Sequence, residues 1–184
     1  MKLPTREQCL QFYKELETPE NIINHVKKVN EVANFLAKKL KEKGINVNIE
    51  LVDRASLIHD LDKWYTLNHK EVLHGDYTKK ILEQKGYPEL GFYAKQHIIE
   101  GAILPYKTWE EKIIAYADKR VNGDKIISLK ERWDYINKRY TAIDSEKRKF
   151  AEKLTYELEK EIFDIIKLDP NKLEEDIKKE KILE

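Results

Sequence analysis

Apolar residues recur every three to four positions along almost the whole chain, and this spacing constrains the fold more than any other feature of the sequence. In the first long segment, for example, Val29, Val32, Ala33, Leu36 and Leu40 follow the spacing of one buried helix face. No internal repeat or low-complexity linker interrupts the pattern. The sequence therefore predicts an all-α fold in a single domain.

Residues typical of helix starts and stops divide this pattern into separate helices. Thr18-Pro19-Glu20 is typical of a start, and Gly44 is typical of an end. Helices are predicted over residues 5–16, 20–43, 48–60, 70–85, 90–100, 109–121, 128–139 and 144–167. A loop is predicted at 101–105, a turn at 122–124, and a marginal helix or frayed tail at 171–184.

Composition narrows the classes of function. Among 184 residues, 38% are charged and the net charge is +1, which argues against a nucleic-acid groove or a membrane-surface protein. The single cysteine, Cys9, excludes an intramolecular disulfide and is expected to be a packing residue. The first residues lack an apolar signal core, and no stretch resembles a membrane span. We expect a cytoplasmic protein.

A histidine and an aspartate stand side by side at the end of an apolar helical run. Imidazole and carboxylate groups such as those of His59 and Asp60 are ordinary ligands of divalent transition metals. Asp118 ends a similar run that includes Ile114 and Ala117. An ionised carboxylate in such a position is costly to bury unless a cation meets it. The two positions therefore indicate a shared cation.

Three further histidines have ligand chemistry, although each has a simpler explanation when taken alone. His25 continues a core face, His74 would suit a helix surface, and His97 would suit a helix C-terminus as a cation. Asp118 could likewise pair with Arg120. Taken together in their order along the chain, they favour a common metal site. The remaining histidine, His69, is expected to be exposed.

The ordered set of six ligand-type residues resembles the HD-domain metal-dependent phosphohydrolase superfamily, and more narrowly its HDIG-type branch. The set is His25, His59, Asp60, His74, His97 and Asp118. The resemblance covers roughly residues 20–140. It implies a single domain over 1–184, with an HD-domain helical bundle at 20–140, an additional N-terminal helix and a C-terminal helical extension at 141–184.

The resemblance also implies how metal ions would be held. His25, His59, Asp60 and Asp118 would bind a first ion, while His74 and His97 would complete a second site with Asp60 as the bridge. One or two divalent ions are expected, and mixed imidazole and carboxylate ligands suit Fe, Mn, Co, Ni or Zn without choosing between them.

Substrate contacts are expected next to these ligands. Asp60 and Lys63 are predicted to be catalytic, and Lys63 and Arg120 to bind substrate phosphate, although Lys63 could also be an ordinary surface lysine. Many relatives carry a small residue at the position of Asp62. We expect Asp62 to face outward or to pair with a cation, since an inward carboxylate would oppose an anionic substrate.

Nearby aromatic residues suggest a way to hold a base. Trp64, Tyr65 and Trp109 could stack on a nucleobase, although aromatic residues near helix ends more often serve packing.

The resemblance implies hydrolysis of a phosphomonoester or phosphoanhydride, most naturally of a nucleotide. Alternatives are a dinucleoside polyphosphate hydrolase and a non-catalytic nucleotide-binding regulatory domain, while a purely structural metal is disfavoured because the apolar pattern suffices for folding. The expected partner is a small phosphate ester, not long nucleic acid or a membrane. Homo-oligomerisation is left open.

Overall fold

The computed structural model describes residues 1–99, 105–139, 141 and 144–183, and this part of the chain is built almost entirely from α-helices. The predicted all-α class is confirmed. The helices are α1 (Arg6–Glu15), α2 (Glu20–Glu42), α3 (Ile49–Ile58), α4 (Lys63–Asn68), α5 (Asp76–Gln84), α6 (Gly91–Gln96), α7 (Trp109–Lys119), α8 (Leu129–Arg139), α9 (Ser145–Ile166) and α10 (Leu173–Leu183). Two short strands, β1 (Val121–Asn122) and β2 (Lys125–Ile126), form an antiparallel hairpin around the predicted turn.

Side-chain caps explain where several helices begin. Thr5 accepts a hydrogen bond from the backbone N–H of Gln8, and the Gln8 side chain accepts one from the backbone N–H of Thr5, so α1 starts with a capping box. The side-chain oxygens of Asn48 and Thr108 cap α3 and α7. These polar residues fix the points at which the chain turns into the helices that carry the site.

The longest helix, α2, is the centre of the core, and two apolar clusters pack along it. Its part from Val29 onward, with Leu36 and Leu40, packs in a cluster that includes α7, α8, α9 and α10. Its N-terminal half, with Ile22 and Val26, packs against residues of α1, α3, α5 and α6. Among the described residues, no helix is both long enough and apolar enough to cross a membrane.

The segment between α3 and α7 differs most from the sequence-based prediction. The short helix α4 was not predicted, and α5 begins after Gly75 instead of near residue 70. Gly75 has a φ of 87°, and a Cβ atom there would lie 2.9 Å from Cγ of Lys95, so glycine permits both the turn and its approach to α6. α6 ends at Gln96, and the loop predicted at 101–105 lies outside the described residues except for Pro105.

The C-terminal segment is an ordered helix that packs on the core, where the sequence predicts a marginal helix or frayed tail. Leu173 and Ile177 in α10 are buried in the larger apolar cluster. Glu180 pairs with Lys39 at 2.8 Å, and Lys181 pairs with a glutamate of α2 at 2.8 Å. A sparse apolar pattern is sufficient for an ordered helix here, because two side chains at i and i+4 reach the core. Charged residues between and after them pair with opposite charges.

Arg120, which the sequence predicts to bind substrate, instead joins α7 to the C-terminal helices. Its side chain is 5% exposed and donates hydrogen bonds to the Tyr116 hydroxyl, the Glu159 carboxylate and the backbone carbonyls of Ile127 and Pro170. It is not among the residues that line the cavity beside the predicted ligands. The substrate contact predicted for Arg120 has no support in this geometry, because its donors are engaged away from the cavity.

Replacing Arg120 by Met should lower the free energy of unfolding by about 3 kcal/mol, because Glu159 and two carbonyls would lose their buried donor. Urea unfolding followed by circular dichroism measures this change. Lys130→Met is the matched control, since the Lys130 side chain is 80% exposed, and its unfolding should change little. Equal stabilities of the two variants would contradict a structural role for Arg120.

Candidate metal centre

Six side chains with metal-binding atoms converge beside the N-terminal half of α2, although they come from five separate parts of the chain. They are His25 in α2, His59 and Asp60 directly after α3, His74 before α5, His97 directly after α6, and Asp118 in the last turn of α7. These are the six residues that the ordered sequence pattern singles out. The structure brings all of them together.

A first group of donor atoms forms around His25 and His59. Asp118 Oδ1 lies 3.2 Å from His25 Nε2 and 3.8 Å from His59 Nε2. Asp60 Oδ2 lies 3.8 Å from each of the same two nitrogens. Two imidazole nitrogens and two carboxylate oxygens therefore enclose one small volume, which is a donor set suited to a divalent transition metal.

Backbone carbonyls fix the orientation of both rings in this first group. His25 Nδ1 lies 3.0 Å from the carbonyl oxygen of Gly123, and His59 Nδ1 lies 2.7 Å from that of Ser56. Because a carbonyl can only accept, each Nδ1 carries a proton, and Nε2 is the atom that a neutral ring can offer to a metal ion. Within the described part of the chain, the buried Nε2 of His59 has no hydrogen-bond partner. A cation at this point would satisfy it.

A second group of donor atoms forms around the other oxygen of Asp60. Asp60 Oδ1 lies 2.8 Å from His74 Nε2 and 3.2 Å from His97 Nε2. The two nitrogens are themselves 3.2 Å apart. The two imidazole nitrogens lie close to each other and to one carboxylate oxygen. Such an arrangement needs a proton or a metal ion between the atoms, so this group also fits a cation.

Asp60 contributes to both groups, with Oδ2 facing the first and Oδ1 facing the second. Its side chain is 5% exposed, so the two oxygens have little access to bulk water. This position results from the turn directly after α3, which stays buried, since the next residue, Leu61, belongs to the core. A carboxylate held in this way is able to bridge two ions.

The charge states of the buried groups suit metal binding. Burial by itself raises the pKa of Asp60, but the Lys63 ammonium and hydrogen bonds from nearby imidazoles hold that pKa well below its usual value. Burial also opposes ionisation of Asp118, yet Lys119 and its other partners hold the pKa well below the usual value. Burial lowers the pKa of His97 to about 3, so its ring is neutral. Burial opposes the protonation of His74, but its hydrogen bonds with the Asp60 and Asp62 carboxylates raise its pKa. The centre thus combines two ionised carboxylates with a neutral His97.

Cationic side chains of the described residues lie beside the centre. Lys63 Nζ lies 3.6 Å from Asp60 Oδ1, and Lys119 Nζ donates to Asp118 Oδ2 at 2.7 Å and to the backbone carbonyl of His97 at 2.8 Å. Arg132 in α8 places Nη2 3.7 Å from Asp118 Oδ1. The sequence-based prediction missed Arg132, because only the packing of α8 across the site reveals its position.

A cavity of about 630 Å³ opens above the donor atoms, with Lys63 and Arg132 in its wall. Of the three aromatic residues predicted to stack on a base, only Trp64 lines this cavity. Tyr65 stacks instead on the rings of His69 and Tyr77. Tyr135 in α8, not singled out by the sequence, also lines the cavity.

Comparison with known proteins decides the family. Residues 22–123 match the family described as HD domain, which is more than half of the chain. The chain belongs to the HD-domain family. The superfamily resemblance drawn from the order of the ligands is confirmed. No solved structure shows a significant match to the chain.

Relatives of this HD-domain protein include proteins of different lengths. Uncharacterized protein MJ0778 of Methanocaldococcus jannaschii is 34% identical over 137 residues, which are 67% of this chain and 79% of that protein. The tRNA (cytidine(56)-2'-O)-methyltransferase of Picrophilus torridus is 30% identical over 180 residues, 90% of this chain and 50% of that protein. The enzyme of the same name from Thermoplasma volcanium is 28% identical over 152 residues, 74% of this chain and 42% of that protein. The chain thus spans half or less of these two methyltransferases.

For Asp62, the residue of the HD-domain centre at which many relatives carry a small side chain, the sequence predicts an outward position or pairing with a cation. The side chain is fully buried, which excludes the outward position, and it pairs with His74, an imidazole that is a cation when protonated. Oδ1 lies 2.5 Å from Nδ1 of His74, and Oδ2 accepts hydrogen bonds from the backbone N–H groups of Gly75 at 2.8 Å and Thr78 at 3.0 Å. Asp62 therefore contacts a candidate ligand and does not point into the cavity.

His59→Ala should remove metal uptake by the first group, because His59 supplies a buried donor with no other partner among the described residues. Cobalt titration of metal-depleted protein, followed by elemental analysis, measures the loss. His69→Ala is the matched control, since His69 lies outside both groups with a side chain 46% exposed. The same number of tightly bound ions in both variants would contradict the assignment of His59.

Proposed function

We propose that this HD-domain protein is a metal-dependent phosphohydrolase that cleaves a phosphate ester or anhydride of a nucleotide. The observation that carries the proposal is the pair of donor groups that share Asp60 beneath a cavity lined by Lys63 and Arg132. Metal ions held by anionic ligands bind phosphate, and cationic side chains beside them accommodate its remaining charge.

In this proposal the first ion would be held by His25, His59, Asp60 and Asp118, and the second by Asp60, His74 and His97. Bound divalent ions would supply Lewis-acid activation of a water molecule and stabilisation of charge on phosphorus. Asp60 would hold the two ions together, since its two oxygens face different groups. Lys119 would keep Asp118 and the His97 segment in place through its two hydrogen bonds.

The substrate phosphate would bind between two cations of the cavity wall. Lys63 would offer an ammonium to a non-bridging oxygen, because its Nζ lies 3.6 Å from the shared carboxylate. Arg132 would replace Arg120 as the guanidinium that binds substrate, since it lines the cavity.

The cavity also has room for the organic part of a nucleotide. Its volume of about 630 Å³ falls within the range of about 300–1,000 Å³ that is usual for small-molecule sites. Trp64 and Tyr135 in its wall offer faces on which a base could stack, and Ile22 and Ile136 add apolar surface. These residues support a nucleotide over a bare sugar phosphate.

Two other functions compete with this one. A dinucleoside polyphosphate hydrolase would use the same metal ligands, and only its substrate would differ, with a second nucleoside attached beyond the phosphates. A non-catalytic nucleotide-binding domain would keep the cavity without turnover. Methyl transfer to tRNA, which the names of two relatives state, is left out of the proposal because imidazole and carboxylate donors suit metal ions and not a methyl donor.

Phosphate release over a panel of nucleotides, dinucleotides and folded tRNA, with Mn, Co, Ni or Fe added, tests the proposal. We expect release from at least one small phosphate ester or anhydride. Binding of a nucleotide without release would favour the regulatory alternative. Hydrolysis retained by His59→Ala combined with Asp60→Ala would place the activity elsewhere on the protein.

Lys63→Met should lower kcat/KM for the best substrate by about 100-fold, because one preorganised cation would be lost from the phosphate site. Steady-state kinetics of the metal-loaded enzyme measure this effect. Lys79→Met is the matched control, since Lys79 lies on α5 with a side chain 57% exposed and pairs only weakly with Glu83 at 3.8 Å. Unchanged kinetics of Lys63→Met would remove Lys63 from the mechanism.

A further inference from the structure

We infer that Asp62 is a positioning residue that fixes the tautomer and orientation of His74 and thereby makes the second donor group able to bind a metal ion. This inference rests on the two-ion site of the proposed function. It concerns a residue that touches neither the cavity nor the shared carboxylate, so its effect must pass through His74.

The two oxygens of Asp62 have separate partners. Oδ1 lies 2.5 Å from Nδ1 of His74, and an ionised carboxylate can only accept, so this contact favours a proton on Nδ1. Nε2 lies 2.8 Å from Asp60 Oδ1 and 3.2 Å from His97 Nε2, and with the proton held on Nδ1 it can offer its lone pair to a metal ion between these atoms. Oδ2 accepts the backbone N–H groups of Gly75 and Thr78 at the start of α5.

His74 depends on a side chain for its orientation, in contrast to His25 and His59. His25 and His59 are oriented by backbone carbonyls, which the fold places whatever the nearby side chains are. His74 lies in the turn before α5, its side chain is 18% exposed, and its Nδ1 contacts a side-chain carboxylate instead. Substitution of Asp62 therefore removes the group that orients the ring.

An asparagine at position 62 separates this role from helix capping. The amide oxygen can replace Oδ2 and accept both backbone N–H groups of Gly75 and Thr78, which keeps the start of α5 capped. The amide nitrogen then takes the place of Oδ1 and donates to His74 Nδ1. His74 must carry its proton on Nε2, the atom that faces Asp60, and can no longer offer a lone pair there. In the opposite orientation, the amide NH2 group would face the backbone N–H groups of Gly75 and Thr78, which are also donors.

The test compares cobalt binding and the His74 tautomer in Asp62→Asn and the wild-type protein. We expect Asp62→Asn to bind the second cobalt ion about 10–100-fold more weakly, with the first ion unaffected. Imidazole nitrogen shifts, measured by NMR on the full chain loaded with diamagnetic zinc, should show the His74 proton on Nδ1 in the wild type and on Nε2 in the variant. Unchanged affinity for the second ion, or an unchanged His74 tautomer, would overturn the inference.

Thr78→Val is the matched control for stability. It removes the hydrogen bond that the Thr78 hydroxyl accepts from the backbone N–H of Asp62, but it leaves both carboxylate oxygens with their partners. We expect it to destabilise the fold while the second ion binds as in the wild type. Loss of the second ion in Thr78→Val would assign the effect to general disruption of this turn and overturn the inference.

A double-substitution cycle shows whether Asp62 acts through His74. His74→Ala alone should weaken binding of the second ion, and adding Asp62→Asn should cause no further loss of affinity. Additive losses would contradict the inference. A wild-type protein that binds two cobalt ions but releases no phosphate would contradict the proposed hydrolase alone, so failure of the function and failure of this inference are distinguishable.

Discussion

Burial of the Asp60 and Asp118 carboxylates is the constraint on which the site depends. A buried anion is costly unless donors or cations surround it, and here imidazoles, Lys63 and Lys119 do so from several helices. The helices therefore cannot move independently without leaving charge uncompensated. The same arrangement that would bind metal ions also couples α2, α3 and α7, the elements that form the centre of the core.

The fold class was accessible from sequence because it depends on local rules: helical periodicity and caps such as Asn48 predict where most helices lie. The ligand set joins five separate parts of the chain, and it was accessible because the order of its His and Asp residues resembles that of the HD-domain superfamily. The weaker predictions fall where structure depends on distant packing. The start of α5 is set by Gly75 against α6, and α10 is ordered because Leu173 and Ile177 find a place in the core.

The positions of Arg120 and Arg132 also depend on packing between distant parts of the chain. Arg120 follows Asp118 by two residues in sequence, and two steps along a helix rotate a side chain by about 200°. That rotation directs Arg120 toward Glu159, away from the cavity. Arg132 is distant in sequence, but α8 returns it to Asp118. At the end of α7, residues that are close in sequence therefore point to different parts of the structure.

The last turn of α7 has a further consequence. Asp118, Lys119 and Arg120 face three different environments: the donor atoms, the carbonyl of His97, and the C-terminal helices. Deleting one residue before this turn would bring the ammonium of Lys119 to the place of the carboxylate, and Glu159 would lose the guanidinium of Arg120. The hairpin that follows has little freedom in length either, because the Gly123 carbonyl oxygen lies 3.0 Å from His25 Nδ1 and orients that ring.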